Sequence, residues 1–456
     1  MTGKRTLRER IIHAGFWTLG GHASSQVLRL ISNLLTTRLL MPEAFGIMAL
    51  ANTFVLGLAL FSDVGLGQSV VRSHRSNEST FINTVWTLQV LRGCLIWMFC
   101  LGLAATVYAL AAHGVFALDS VYAHPMLPVV LAAVSISAVV GGFESTNIAI
   151  ASRTLNVKKI TQIELLSQGG ALVIMVTWAY VAQSIWALVV GAIAAAAIRT
   201  TLSHTIVPGP RNAFHWDKTA AREVFGFGKW IFLGSIMGFV VSNGDRIILG
   251  GLTSAASLGV FSLAAFLMGA IQQVFTKLAG SVAFPTFCEV IRNDRGKLKD
   301  VYYKLRLPVD LASLFAAGFL FSAGQIIANV LYDKRYSEVG GILEIMSIGL
   351  LEIRYGIAGQ CLLALGQSKI ISFLIGMRLP IVLLATPLAY ANFGLHGAAW
   401  ITGGNVLVTI PFLLYYTHKH RILSIKKEIQ TLPILLLGYV AGEFASKTYF
   451  YIFKLH

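Results

Sequence analysis

Arginines and acids stand inside long apolar stretches of this sequence. Arg29, Arg92, Glu144, Asp245, Arg246, Glu344, Glu352, Arg354 and Arg378 all do so. A charged side chain is costly in hydrocarbon, so such groups are kept for a bundle interior or a water-filled cavity. A guanidinium there suits phosphate or carboxylate, which it binds through paired hydrogen bonds. Arginines on this many stretches argue for an anionic or phosphate-linked cargo and against a drug-like cation. The expected binding set is Arg29, Asn33, Arg92 and Arg246. The acids Glu144, Asp245 and Glu352 are expected to couple transport to an ion or to pair with the arginines. For Glu144 the pairing partner would be Arg29 or Arg92. Arg378 reads as an interfacial anchor, Arg246 could also snorkel to the headgroups, and Asp63 reads as a cap or anchor of its helix.

Spacing supports the cavity reading. His22, Ser25, Arg29, Ser32 and Asn33 recur at helical i, i+3/i+4 steps and form one polar stripe. Trp86, Gln89 and Arg92 repeat the pattern, and Ser137, Glu144 and Asn147 lie on another such stretch. The remaining chemistry is excluded by what is missing. No G-x-x-x-x-G-K-[ST] phosphate loop and no H-E-x-x-H occur. Cys94, Cys100, Cys288 and Cys361 have neither metal nor disulfide spacing and read as small apolar packers. No enzyme activity, cofactor or metal is expected. Uphill transport would draw on an ion gradient, the membrane potential or consumption of the product.

The elements that must carry these groups are membrane helices. The chain is 56% hydrophobic and 12% charged, against about 25% charged in a soluble domain. Its mean hydropathy is +0.72. Twelve apolar stretches match the bilayer span of about 20 residues. They are 11–36, 44–68, 83–111, 126–152, 160–182, 185–206, 228–251, 258–280, 307–331, 340–364, 370–391 and 396–417. A thirteenth candidate, 432–453, contains Glu443 and Lys447. The net charge of +16 is a topology signal and not a nucleic-acid footprint. Lysines and arginines concentrate in alternate loops, including 292–306 and 419–427, which places the N-terminus in the cytoplasm. The basic loops also suit anionic membrane lipid. The first helix is expected to stay uncleaved.

The expected organisation is an all-α polytopic protein of two parallel-related six-helix bundles around a central cavity. The bundles would be 1–206 and 228–418, joined by a cytoplasmic linker at 207–227 and followed by a basic tail, 419–456. The loop at 281–306 reads as a short amphipathic helix. Residues 15–51 recur at 228–264. Gly15, Trp17 and Gly21 fall on Gly228, Trp230 and Gly234, and Leu39, Gly46 and Leu50 on Leu252, Gly259 and Leu263. The same alignment sets Arg29 on Ser242 and Asn33 on Arg246. Parallel repeats of this kind build transporters with a site between halves that can rock.

Several segments then carry a resemblance. They are "LLTTRLLMPEAFGIMALANTF" (34–54), "FSDVGLGQSVVR" (61–72), "GFGKW" (226–230), "NGDRIILGGLTSAASLGVFSLA" (243–264), "FPTFCEV" (284–290) and "LLALGQSK" (362–369). In this order the chain resembles the polysaccharide-export (oligosaccharide flippase) family, within the superfamily of multidrug, oligosaccharidyl-lipid and polysaccharide exporters. The resemblance implies a V-shaped pair of bundles with a cationic cavity. It implies an undecaprenyl-pyrophosphate-linked glycan as cargo, flipped across the inner membrane for exopolysaccharide, capsule or O-antigen synthesis. A polymerase and co-polymerase of the same pathway would be partners, besides membrane lipid. Two rivals stand beside this reading. One is a cation-coupled drug antiporter of the same superfamily, which needs an acidic site such as Glu144. The other is a lipid-linked sugar polymerase or ligase, which the short outer loops oppose. A peptidoglycan-precursor flippase is a nearer variant.

Overall fold

The computed structural model describes residues 7–63, 65–75, 78–154 and 156–453. Lys4 and Arg5 of the basic N-terminus lie outside them. The described residues are almost wholly helical, with no strand among them. Among them, eight helices are long and apolar enough to cross a membrane. A ninth is the pair Met126–Gly142 and Asn147–Arg153, bent by 63°. The chain is therefore a multi-pass membrane protein. The twelve expected stretches are largely helical, but 44–68 runs past the end of the helix Pro42–Phe61 and 126–152 covers the bent pair.

Two compact units divide the chain. The first comprises residues 1–239 and 253–255, the second 240–252 and 256–456. The first unit contains α1 (Leu7–Leu39), α2 (Pro42–Phe61), α3 (Ser79–Ala112) and α4 (Met126–Gly142). It continues with α5 (Val157–Ala182), α6 (Trp186–Thr205) and the start of α7 (Lys218–Leu252). Here α5 packs on both α6 and α1. The expected linker is non-helical only up to Asp217, and from Lys218 it is the first part of α7. The Asp217 carboxylate starts that helix. It accepts hydrogen bonds from the Thr219 hydroxyl at 2.6 Å, the Thr219 amide at 3.0 Å and the Arg75 guanidinium at 3.2 Å. These donors, Thr219 first, hold its pKa well below the usual carboxylate range.

The second unit contains the end of α7, then α8 (Ala255–Leu278) from Ala256 onward and α9 (Leu298–Leu331). The expected amphipathic helix between them is Phe284–Asn293, whose Phe287 is fully buried near Tyr302. A broken helix over 338–364 follows (α10). Ser368–Lys419 is helical throughout but cannot be straight. At ~1.5 Å per residue, Arg378 and Asn405 would stand about 40 Å apart, yet their side chains hydrogen-bond at 2.7 Å. The chain reverses at Gly394, whose φ of 60° and ψ of −146° break the helix; a β-carbon disfavours that backbone and glycine does not. The two arms are α11 (368–393) and α12 (395–419).

The sequence repeat is visible in the helix ends. Leu39 and Leu252 close α1 and α7, and Pro42 and Ala255, also aligned, open α2 and α8.

The thirteenth candidate is a helix, Pro433–Phe453 (α13), packed along α9. Glycines make the approach close. A β-carbon at Gly438 would meet the Phe315 carbonyl, and one at Gly442 the Ser322 hydroxyl. Small residues four apart let helix backbones meet in this way. A short helix, Ile425–Gln430, precedes α13 and is latched by a buried ionic cluster. Glu428 pairs with Arg306 of α9, with Nη2–Oε2 at 2.6 Å, and with Arg354 of α10 at 3.2 Å. Asp310 pairs with the same two arginines at 3.0 and 3.3 Å. Two cations and two anions balance, as burial of charge requires. Tyr355 lies 4.8 Å under the Arg306 guanidinium.

Candidate functional site

A polar cavity of about 660 Å³ lies within the second unit. Asp245 and Arg246 enter it from α7, and Gln272, Gln273 and Lys277 from α8. Glu352 and Gln360 come from α10, Arg378 from α11, and Thr402 and Asn405 from α12. The Asp245 carboxylate accepts from the Thr402 hydroxyl at 3.1 Å and from the Arg246 amide at 2.8 Å. The Arg246 guanidinium donates to Asn243 Oδ1 at 2.9 Å. Arg378 donates to Asn405 Oδ1 at 2.7 Å, and Glu352 lines the same cavity. Lys277 is exposed and makes no ion pair among the described residues. Three cations thus stand against two acids, beside amides and hydroxyls. Arginine and lysine can bind phosphate oxygens, and the amides and hydroxyls can exchange hydrogen bonds with sugar hydroxyls.

The cavity walls are where the helices depart from α geometry. A 3₁₀ stretch, Ser347–Glu352, ends on Glu352, and another, Asn405–Thr409, begins on Asn405. A π turn, Ile381–Ala385, follows Pro380 and carries Val382 into the wall. A second π turn, Ala279–Ala283, lies just beyond Lys277. Proline removes a backbone donor and crowds the preceding turn. Irregular backbone at membrane depth is tolerated where it lines a polar cavity or is covered by protein, and such bulges concentrate at functional sites.

The polar groups of the first unit have other work. Arg92 Nε donates to the Ser62 hydroxyl at 3.0 Å, and its Nη2 donates to the Ala59 carbonyl. Asp63 stands 3.9 Å from Nη1. Arg92 therefore serves the C-terminal end of α2, where carbonyls lack helical partners. Gln89 Nε2 donates to the Gly142 and Glu144 carbonyls at 3.0 and 2.9 Å, and Trp86 Nε1 to that of Phe143 at 3.4 Å. These are the carbonyls freed by the 63° bend after α4. Glu144 pairs with Arg199 of α6 at 2.7 Å, and not with Arg29 or Arg92. In α1, Ser25 turns to α5, within 3.0 Å of Gln168 and 3.3 Å of Glu164. Asn33 is half-buried, and Arg29 is exposed with no ion pair among the described residues.

Of the expected site residues, Asp245, Arg246 and Glu352 meet in one cavity. Arg29, Asn33, Arg92 and Glu144 belong to the first unit. Arg378 lines the cavity although its sequence position suggested an interfacial anchor. Lys277 and the glutamines were not anticipated. Their signal was a Gln-Gln pair and a lysine at helical steps near the end of an apolar stretch. Arg354 is spent on the C-terminal latch, and Glu344 accepts the Gln325 amide at 2.8 Å.

Comparisons with known proteins agree with this architecture. The profile of a family described as "Polysaccharide biosynthesis protein" matches residues 35–340. The succinoglycan biosynthesis transport protein ExoT of Rhizobium meliloti is 22% identical over 76% of this chain; the match spans 66% of that relative, just under two thirds of its length. The lipopolysaccharide biosynthesis protein WzxC of Escherichia coli is 21% identical over 96% of this chain and 88% of its own. Among solved structures, the lipid II flippase MurJ in an inward closed conformation superposes with a TM-score of 0.63. It covers 98% of this chain and 100% of that one at 14% identity, which is a likeness of fold.

Proposed function

This chain belongs to the polysaccharide biosynthesis protein family, and from that premise we propose that it is a flippase of the bacterial inner membrane. Its cargo is an undecaprenyl-pyrophosphate-linked oligosaccharide repeat unit, delivered to the periplasm for exopolysaccharide, capsule or O-antigen assembly. The relatives named for succinoglycan transport and lipopolysaccharide biosynthesis support the cargo class. The basic loops support a cytoplasmic N-terminus. The observation that carries the reading is the cavity holding Arg246, Lys277 and Arg378 among amides and hydroxyls.

In this reading the lipid tail stays in the bilayer while the diphosphate and sugars enter the cavity. The three cations offset the cost of removing the diphosphate from water. Arg29 is a further cargo contact, and Asn33 neighbours it one helical turn away. Arg92 is given to the end of α2. Asp245 and Glu352 are the acids placed to couple cargo movement to an ion. The protein makes and breaks no covalent bond, and a polymerase and co-polymerase act on what it delivers. A drug antiporter using Glu144 is disfavoured because that carboxylate already holds Arg199 at 2.7 Å.

The test replaces the chromosomal gene with the R246Q/K277Q/R378Q variant at unchanged protein level. The expected result is lipid-linked repeat units accumulating inside the cell and surface polysaccharide falling at least about tenfold, the loss of little more than one good charged contact. Undiminished export sinks the cavity assignment. Unpolymerised units outside would identify a polymerase, altered drug sensitivity alone an antiporter, and arrest of peptidoglycan synthesis the peptidoglycan variant.

A further inference from the structure

A second polar pocket lies in the second unit, away from the cavity residues. It measures about 470 Å³ and is lined by Arg295, Lys299, Lys419, His420 and Arg421 with Leu298 and Ile422. Its cations come from two places far apart in sequence. Arg295 precedes α9 and Lys299 lies in its first turn; Lys419 ends α12 and Arg421 follows it. No acid lines the pocket. The nearest acids in sequence are engaged elsewhere: Asp294 holds Lys297 at 3.1 Å, and Asp300 stands 4.0 Å from Lys427. None of the four pocket cations makes an ion pair among the described residues. Like charges have been gathered and left uncompensated.

The end of α12 fixes the second pair of cations: Arg421, at φ 58°, is the left-handed residue that stops the helix, and the Ile422 amide closes back on the Thr417 carbonyl at 2.9 Å. Partial burial first, and then the charges of Arg295 and Lys419, hold the His420 imidazole below its ordinary pKa. In the chain just beyond Ile422, Ile425, Ile429 and Leu432 are 69%, 58% and 45% exposed. They recur at i, i+4 and i+7 on the short helix and its C-terminal end, an apolar face open to lipid. The latch through Glu428 ties the short helix to Arg306 of α9 and Arg354 of α10.

We propose that this pocket binds the phosphate headgroup of an anionic phospholipid drawn from the adjoining leaflet, with the acyl chains lying toward Ile425 and Ile429. Two pairs of cations suit a headgroup carrying two phosphates, such as a diphosphatidylglycerol. Basic pockets between membrane helices recognise such headgroups. The site rests on membrane insertion alone and stands or falls independently of the cargo.

The test uses the full-length protein in neutral detergent. Diphosphatidylglycerol, phosphatidylcholine or sodium pyrophosphate is titrated in, and bound lipid is counted by native mass spectrometry. The wild type is expected to retain diphosphatidylglycerol and not phosphatidylcholine. The variants R295Q/K299Q and K419Q/R421Q are each expected to weaken retention about thirtyfold. All four positions are exposed, so the fold should persist; the single variants K299Q and K419Q, at about fivefold each, serve if a double variant expresses poorly. The matched surface variant R211Q/K218Q is expected to bind as the wild type does. Equal loss in that variant means diffuse charge attraction and overturns the proposal. Equal retention of phosphatidylcholine overturns it too. Displacement of the lipid by pyrophosphate at equal concentration assigns the pocket to a soluble phosphate and overturns the lipid source.

Discussion

At the scale of single residues, two arginines stand in surroundings other than those their sequence positions suggested. Both sit on apolar helices, and only the neighbours differ. Arg92 meets carbonyls left open at the end of α2, so its donors are used within the protein. Arg378 meets Asn405 in a polar cavity that Glu352 also lines. The Arg378–Glu352 coupling is open to measurement. A double-mutant cycle on thermal stability with R378Q and E352Q should show about 0.5–3 kcal/mol of interaction, because opposite charges lining one cavity attract each other; strictly additive effects would show that the two do not couple. Asp217 predicts a pH dependence. Its folded pKa is depressed, so its contribution is fully present above the ordinary carboxylate pKa and is lost as pH falls through and below about 4. Melting temperatures of wild type and D217N should therefore differ at pH 7 and converge under acid. A gap that widens under acid would reverse the sign and refute the assignment.

At the scale of elements, the C-terminal helix is held by two different forces. Glycine contacts seat α13 on α9, and a balanced ionic cluster pins the segment before it. Removing one member of a buried pair costs about 3–5 kcal/mol, since its partners stay buried and unpaired. E428A should lower stability by that order and expose the 419–432 segment to protease. G438L and G442L should also loosen α13, because their side chains run into α9 backbone or Ser322. V440L, at a position 64% exposed, is the control and should leave cleavage unchanged. Protection equal to wild type in G442L would show that the glycines do not set the packing.

At the scale of the whole molecule, the two units use their polar residues differently. The repeated helices α1 and α7 stop, and α2 and α8 start, at matching positions, but the arginines have other surroundings in each unit. In the first unit, Trp86, Gln89 and Arg92 satisfy carbonyls at a helix end and a bend. In the second, Arg246 and Arg378 line a cavity. Substituting Arg92 or Arg199 should lower protein abundance several-fold, while substituting Arg246 or Lys277 should lower export at unchanged abundance. Quantifying both by blot and surface polysaccharide checks the split, and the reverse pattern would refute it. The C-terminal helix α13 also makes a topological prediction. Reporters fused at residue 421 and at the C-terminus should sit on opposite sides of the membrane, and identical sides would mean that α13 does not span.

Sequence alone was enough for the membrane class, the helix positions, the repeat and the family, because these follow from local composition, period and order. Hydrophobic runs must be helices in a bilayer, and Gly, Trp and Leu kept at matching places reveal duplication without any contact map. It also identified which residues were costly enough to need a reason. The reason itself came only from tertiary structure. Whether Arg92 is a cap, Arg354 a latch or Arg378 a cavity wall depends on which carbonyl, carboxylate or amide another helix presents. Glu428 meets Arg306 across 122 positions of chain, and no spacing rule reaches that far. A buried charge announces itself in one dimension, but its partner is chosen in three.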